Sequence, residues 1–483
     1  MMKTKLKDNK IFRWIIIPIC ICMCLFGKFI PEVNGFSSDA WGVLFIFIGS
    51  LTLWLTIGID WPSLLCIFSL GLIDTLGFGK VLTSSFGNGT FVFLMFTFIC
   101  TYALSKTSLI KRVAITFVNS KLAKRNGFYF IFLFLLAVLL LGMFISPSVL
   151  FVIILPILNE ILEITNIEKS DKIAKVLMMG LGFTVSISSG MTPIAHVFPI
   201  LAMNAANIEV SPIAYMGLAI PVGIILFLIM YFVLILFIRP EAQKLKDADV
   251  SKLKEELPKI NKKDIWVLSI FIIVLLLRII PSLFKNIAPD FYNFFNKYGV
   301  AMPPILGTIA LCIIRVDEQP LIKIEDGFKN GIPWGSLIMC AGTLALGAAL
   351  TNDAIGIKQF LQANLGPALV NLPSILLLII FASWAALQTN LSSNMVTATL
   401  VATVASSILL TASNTLNFEA TICIIGMLAS CAFATPPSMP HIAIVAGSES
   451  CTTKDVLIYG SIMMVASVVV ALLVGYPLGM LIL

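Results

Sequence analysis

Apolar segments of about 17–25 residues recur from residue 12 onward, each long enough to cross about 30 Å of hydrocarbon. Short polar or charged loops separate them. The pattern predicts spans near 12–30, 41–59, 61–79, 90–108, 174–208, 212–238, 265–283, 299–316, 333–351, 418–446 and 455–482. Two further apolar stretches are interrupted near their middles. In 128–164, the arm Phe128–Ile145 meets the break Ser146-Pro147-Ser148, and a second arm reaches Asn159 after only about ten residues, too short to span. In 372–411, the uncharged stretch from Gln388 to Thr397 separates two apolar arms, 372–387 and 398–410. Hydrocarbon has no water to satisfy exposed backbone, so such breaks persist only where they are packed in protein or line a polar cavity. The expectation is an all-α polytopic membrane protein with about 11 transmembrane helices plus two re-entrant hairpins.

Composition agrees. Of 483 residues 59% are apolar and only 12% charged, against about 25% charged in a soluble domain. Lys3, Lys5, Lys7, Lys10 and Arg13 place the N-terminus in the cytoplasm by the excess of basic residues on that side. The run they precede extends to Ile30 without a small-residue cleavage site, so it is read as a retained first helix. Four crossings lead to a second basic loop at 111–125, and Lys169, Lys172 and Lys175 mark the cytoplasmic exit of the first hairpin. Residues 239–264, the most polar stretch, read as a cytoplasmic linker between a first membrane half, 1–238, and a second, 265–483. On this layout only Lys28, Lys80, Lys285, Lys297 and Lys358 face outside, and the C-terminus lies outside as well. The net charge of +7 thus follows from membrane topology and gives no reason to expect a nucleic-acid partner. The ten cysteines lie mostly in apolar segments without histidine or acidic neighbours, which argues against zinc and disulfides.

The halves repeat at a nearly constant offset of about 246 residues. Ala103–Lys111 aligns with Ala349–Ile357, Ser146-Pro147-Ser148 with Ser393-Asn394-Met395, and Gly190-Met191-Thr192-Pro193 with the Thr435-Pro436-Pro437-Ser438 region. The first hairpin enters from the cytoplasm and the second from outside, so the repeats are inverted, the arrangement of secondary transporters with a midplane site. Helix interruptions are expected at 188–193 and at 434–440, where prolines remove backbone donors. An interrupted helix offers free N–H groups to an anion and free carbonyls to a cation. Neither break carries a charged side chain.

On these residues the chain resembles the divalent anion/sodium symporter family, which moves dicarboxylates, citrate or sulfate. The turn Phe144–Ser148 with Leu155-Pro156, the turn Thr389–Ala398, and Ala434-Thr435-Pro436-Pro437 with Ile442–Ser448 are similar to that family's hairpin tips and second broken helix. Phe86–Lys111 and Pro333–Ala349 are similar to the helices before its hairpins, so the resemblance covers nearly the whole chain. It implies a sodium-coupled symporter of small divalent anions such as succinate, working by an elevator motion as a homodimer in the plasma membrane. It further implies substrate contacts at Ser148, Thr192, Asn394, Thr435 and Pro436, and cation ligands at Ser146, Gly190, Thr389, Ser392, Asn394 and Ala434. Three departures stand out. Pro147 occupies the family's tip asparagine, Met395 a tip threonine, and Ala195-His196-Val197-Phe198-Pro199 the family's Gly-Thr-Pro-Pro-Asn. Sodium takes several hard oxygen ligands and Pro147 supplies no side-chain oxygen, so sodium-independent exchange is the alternative, with a sulfate or tricarboxylate carrier beside it.

His196 and His441, the only histidines, each follow a break. Each is read as a ring satisfied by a nearby carbonyl, against the alternatives of anion binding or proton carriage. Arg278 and Lys106 read as snorkelling anchors, and Asp60, Asp74 and Glu419 as interfacial residues. No His-Glu-x-x-His, Gly-x-Ser-x-Gly or paired intramembrane aspartate is present, so an enzyme is not expected.

Overall fold

The computed structural model describes residues 10–33, 35–194, 196–245, 259–284, 287–350, 352–357, 360, 373–391, 393–410, 416–436 and 438–483. Outside this set lie Lys3, Lys5, Lys7, Lys285, Lys358, Ala195, Ser392 and Pro437, as well as residues 246–258 of the predicted linker.

The described chain is mostly helical, with a tight two-stranded turn pairing Arg315–Val316 with Gln319–Pro320. The first half contains α1 (Lys10–Phe26), α2 (Ser38–Thr56), α3 (Asp60–Gly71), α4 (Gly77–Ser84), α5 (Gly89–Ser105), α6 (Leu109–Val118), α7 (Gly127–Gly142), α8 (Pro147–Ile164), α9 (Lys172–Met191), α10 (Phe198–Ala205) and α11 (Pro212–Ile238). The second contains α12 (Lys262–Leu283), α13 (Pro289–Tyr298), α14 (Met302–Ile313), α15 (Trp334–Leu350), α16 (Ser374–Leu391), α17 (Asn394–Leu409), α18 (Phe418–Leu428), α19 (Pro440–Ala446), α20 (Thr453–Val470) and α21 (Tyr476–Ile482). Among the described residues six helices, with α20 and α21 taken together, are long and apolar enough to cross a membrane. The number rises to eight if two bent pairs, α4 with α5 (42°) and Ile324–Gly331 with α15 (77°), are each one span. The protein is therefore a multi-pass, all-helical membrane protein.

Helix starts follow local chemistry. Asn88, Asn126, Ser211 and Asn417 accept first-turn backbone N–H groups, satisfying donors that a helix cannot pair internally. Asn261 with Asp264, and Thr452 with Asp455, form reciprocal capping boxes. Helices α9 and α18 are buried on every side, α9 from Val176 and α18 from Ala420 to their ends. Around α9 pack α7, α8, α11, α18 and α19, so the two interrupted helices form the centre of the molecule.

Several predicted boundaries shift. The span expected at 61–79 divides at 72–76, where Gly77 adopts a positive φ of 68° and Asp74 pairs with Lys28 at 3.6 Å. The second arm of the first hairpin does not end at Asn159. Helix α8 has 18 residues, because Ile157, Leu158, Ile161 and Leu162 stay buried while Asn159, Glu160 and Glu163 face out, an amphipathic continuation. The start of the predicted linker is docked: Ala242 and Leu245 are buried in the short turn Ala242–Leu245 against α7.

Gly127 makes that docking possible. A β-carbon there would lie 1.6 Å from the Ala242 carbonyl oxygen. Gly127→Ala is expected to lower stability by about 1–3 kcal/mol through overpacking. Gly79→Ala, at a helical position with no atom near the added methyl, should leave the melting temperature unchanged or slightly raised. Thermal denaturation in detergent compares the two.

Candidate functional site

Two helix pairs, α7–α8 and α16–α17, each turn back through a short non-helical link, and each link faces the interruption of the helix that follows. Helix α9 runs through Ser188-Ser189-Gly190 and stops at Met191; the chain becomes helical again at Phe198. The second interruption begins earlier than expected, after Leu428, and ends at Pro440.

Asn390 explains the early start. It lies in the last turn of α16, only 1% exposed. Its Oδ1 accepts the backbone N–H groups of Phe433 and Ala434, both at 2.7 Å. Its Nδ2 donates to the carbonyls of Cys431 at 3.0 Å and Ala386 at 2.8 Å. The Thr435 hydroxyl donates to the Asn390 carbonyl, and that of Thr389 to the Ala429 carbonyl at 2.6 Å. The unwound chain thus gets from one amide what a helix would otherwise supply. In the first half, Thr192 Oγ1 donates to the Met143 carbonyl at 2.5 Å and His196 Nε2 contacts the Gly142 carbonyl at 2.7 Å. In both halves a Thr-Pro threonine closes on the end of the preceding helix arm. Gly460 lets α20 run against the second unwound segment; a β-carbon there would lie 2.4 Å from Ala434 Cα.

In front of these links lies a cavity of about 460 Å³, within the usual range for small-molecule sites. Ser146, Pro147 and Ser148 line it from the first turn, Ser393, Asn394 and Met395 from the second. His196 and Val197, and Ser438, Met439 and Pro440, come from the two interruptions. The far wall is Phe98, Thr101, Tyr102 and Ser105 of α5 with Asn330–Pro333 and Ser336. Asn330 and Gly331 belong to a single π-helical turn, Gly327–Gly331. Tyr102 donates to Asp326 at 3.2 Å, and Asn330 to the same carboxylate at 2.6 Å. No Asp, Glu, Lys or Arg lines the cavity among the described residues. The starts of α8, α10, α17 and α19 all lie at its edge, and none has a side-chain cap.

Of the residues singled out by sequence, Ser146, Ser148 and Asn394 line the cavity. Asn394 is 4% exposed and its Nδ2 has no hydrogen-bond partner. Thr192, Thr389, Thr435, Ala434 and Gly190 sit behind, in the links between turn and interruption. The Gly190 carbonyl accepts the Tyr215 hydroxyl at 2.6 Å. Pro436 is half-buried and outside the lining, and Ser392 falls outside the described residues. His196 meets the Gly142 carbonyl as expected, and His441 Nε2 meets the Ser186 hydroxyl at 2.9 Å. Arg278 stacks over Phe93 at 3.9 Å and Lys106 over Tyr102 at 4.7 Å. Asn390 falls within the polar break expected from the sequence but is given no role there, and the far wall has no local signal.

A multi-pass bundle with a cavity free of charged side chains among the described residues, where helix breaks meet, has the build of a membrane transporter. The chain belongs to the citrate transporter (CitMHS) family, whose profile matches residues 42–429. It is 28% identical over 340 residues to an uncharacterized transporter of Methanocaldococcus jannaschii, covering 70% of this chain and 71% of that one. It is also 25% identical to the sodium-dependent dicarboxylate transporter SdcS of Staphylococcus saprophyticus over 459 residues, and to SdcS of Staphylococcus aureus over 463, in each case 89% of this chain and 85% of the relative. The resemblance to divalent anion/sodium symporters is borne out, and with it the reading as a transporter and not an enzyme.

Asn390→Ala should unfold the second interruption first. It orphans the N–H groups of Phe433 and Ala434, each worth about 1–3 kcal/mol when left buried and unpaired. The expected result is a lower melting temperature than for Thr389→Ala, which removes one hydroxyl donor, measured by thermal denaturation of purified protein.

Proposed function

We propose that this chain is a secondary active transporter of small divalent organic anions, dicarboxylates such as succinate, driven by a sodium gradient. The observation that carries the reading is the meeting of both turns and both interruptions on one cavity without a charged side chain. Uncapped helix starts there present N–H groups and the positive ends of helix dipoles, which attract an anion. Asn394 adds an unengaged amide donor. Substrate contacts are assigned to Ser148, Thr192, Asn394, Thr435 and Pro436. Sodium, carried as co-substrate, is assigned to oxygen ligands at Thr389, Ser392, Asn394 and Ala434, and in the first half at Ser146 and Gly190. Oxygen-only donors suit a hard cation, and the dependence on sodium printed for the SdcS relatives supports it.

The two halves, 1–238 and 265–483, are taken as inverted repeats joined by the linker 239–264. About 11 spans and two re-entrant hairpins, 128–164 and 372–411, complete the plan. Because hydrogen bonds tie each turn to its interruption, hairpins and broken helices would shift as one body in an elevator-type movement within a plasma-membrane homodimer, N-terminus cytoplasmic and C-terminus outside. Sodium-independent exchange is favoured by one residue, Pro147, which brings neither amide nor N–H to the first cation site.

Counterflow of labelled succinate in liposomes, with and without a sodium gradient, tests both readings. Sodium-driven uptake supports symport, exchange needing only internal dicarboxylate supports the antiporter, and unsaturable flux overturns both. Asn394→Ala is expected to abolish uptake while leaving the melting temperature within a few degrees, since its Nδ2 has no partner to lose. Pro147→Asn is expected to steepen the sodium dependence; an unchanged sodium titration would remove that position from the cation site.

A further inference from the structure

Resting on the reading of the cavity as an anion site, we propose that His196 is a specificity-determining residue that selects anions carrying an O–H donor. His196 lines the cavity and is 2% exposed. Its Nε2 lies 2.7 Å from the Gly142 carbonyl, and a carbonyl oxygen can only accept, so Nε2 carries the proton. The other nitrogen, Nδ1, is buried and has no hydrogen-bond partner. With Nε2–H engaged, the neutral ring offers Nδ1 as a bare lone pair. No Asp or Glu lines the cavity among the described residues to stabilise a second ring proton, and Tyr102 is the only other titratable group of the lining.

An unpaired lone pair on a ring that lines the cavity discriminates between anions. The serines of the lining rotate and can turn a donor toward a carboxylate, and Asn394 Nδ2 donates permanently. Nδ1 in this tautomer cannot donate. Against a plain carboxylate it stays unpaired or repels; against a hydroxyl on the carbon skeleton, or an un-ionised carboxyl, it accepts. The Gly142 carbonyl that sets the tautomer is itself held close: a β-carbon at Gly142 would lie 2.0 Å from Ser188 Oγ, so no larger residue keeps α7 and α9 in this register.

The test uses two pairs of anions that differ only in one hydroxyl, malate with succinate and citrate with tricarballylate. Apparent affinities are read from ligand-induced shifts in melting temperature of the full chain in detergent with sodium chloride. At neutral pH the hydroxylated member of the binding pair is expected to bind about fivefold more tightly, the worth of one ordinary hydrogen bond. His196→Gln keeps a donor near the Gly142 carbonyl but empties the Nδ1 position, and the ratio should fall to about one. His196→Asn places an amide oxygen near that position and should keep the preference. If the un-ionised carboxyl is the donor, both members of a pair gain equally at mildly acidic pH in the wild type and not in His196→Gln. Equal binding within each pair with no gain at mildly acidic pH that His196→Gln abolishes, or a preference unmoved by His196→Gln, overturns the inference. Binding of the tricarboxylate pair alone overturns the dicarboxylate reading and leaves His196 in place, and binding by none of the four overturns both.

Discussion

Unwound backbone at the centre of a membrane protein is the constraint on which the structure turns. Each buried N–H or carbonyl without a partner costs several kcal/mol where water is absent. The second interruption is tolerated because three contacts of the Asn390 side chain and the Thr389 and Thr435 hydroxyls replace helical bonds. The first is shorter and leans on Thr192 and His196, which cap the end of α7. The same bonds that stabilise the interruptions therefore hold the turns against them. A turn cannot leave its interruption without orphaning buried groups on both sides, which makes turn plus interruption the natural unit of motion.

Satisfaction is uneven, and the unevenness is directional. Carbonyls at the ends of α7, α9 and α16 are met by protein hydroxyls or ring nitrogens, whereas the starts of α8, α10, α17 and α19 receive no side-chain cap. Proline at the first helical position, as at Pro147 and Pro440, fits this pattern, because it sets the helical φ and removes a donor that would have been orphaned anyway. The donors that remain face the cavity. Carbonyl ends turned inward to protein and amide ends turned outward to a void is the polarity an anion site requires.

Much of this was legible in the chain. Span-length apolar runs, the polar turns at Ser146 and Asn394 and the existence of both interruptions follow from hydrophobic length and proline chemistry, which act locally. What was not legible depends on partners distant in sequence. The second interruption starts at Ala429 and not near Ala434 because Asn390, 43 residues before Phe433, takes over its backbone. The arm after Pro147 looked short because Asn159 read as its end, yet the spacing of Asn159, Glu160 and Glu163 leaves an apolar stripe that keeps the helix going. The far wall came from Tyr102 and Asn330, 228 residues apart by number, brought together through Asp326; nothing local marks either as a cavity residue.

An anion in a cavity without a basic side chain must still be neutralised. A single helix end offers the equivalent of about half a positive charge and the effect fades within one turn, so one start would not hold a dianion. Several starts on one rim do better, although α19 with 7 residues and α10 with 8 contribute smaller dipoles than α8 with 18 and α17 with 16. In the symport proposed above a co-bound cation would supply the shortfall, and the same reasoning says why a basic residue is out of place. A fixed Arg or Lys would be left buried and unpaired each time the site emptied, at a cost of several kcal/mol, whereas helix ends and amides carry no net charge to desolvate. An uncharged site loads and unloads with little penalty in either form, the property a carrier needs and a tight binder does not.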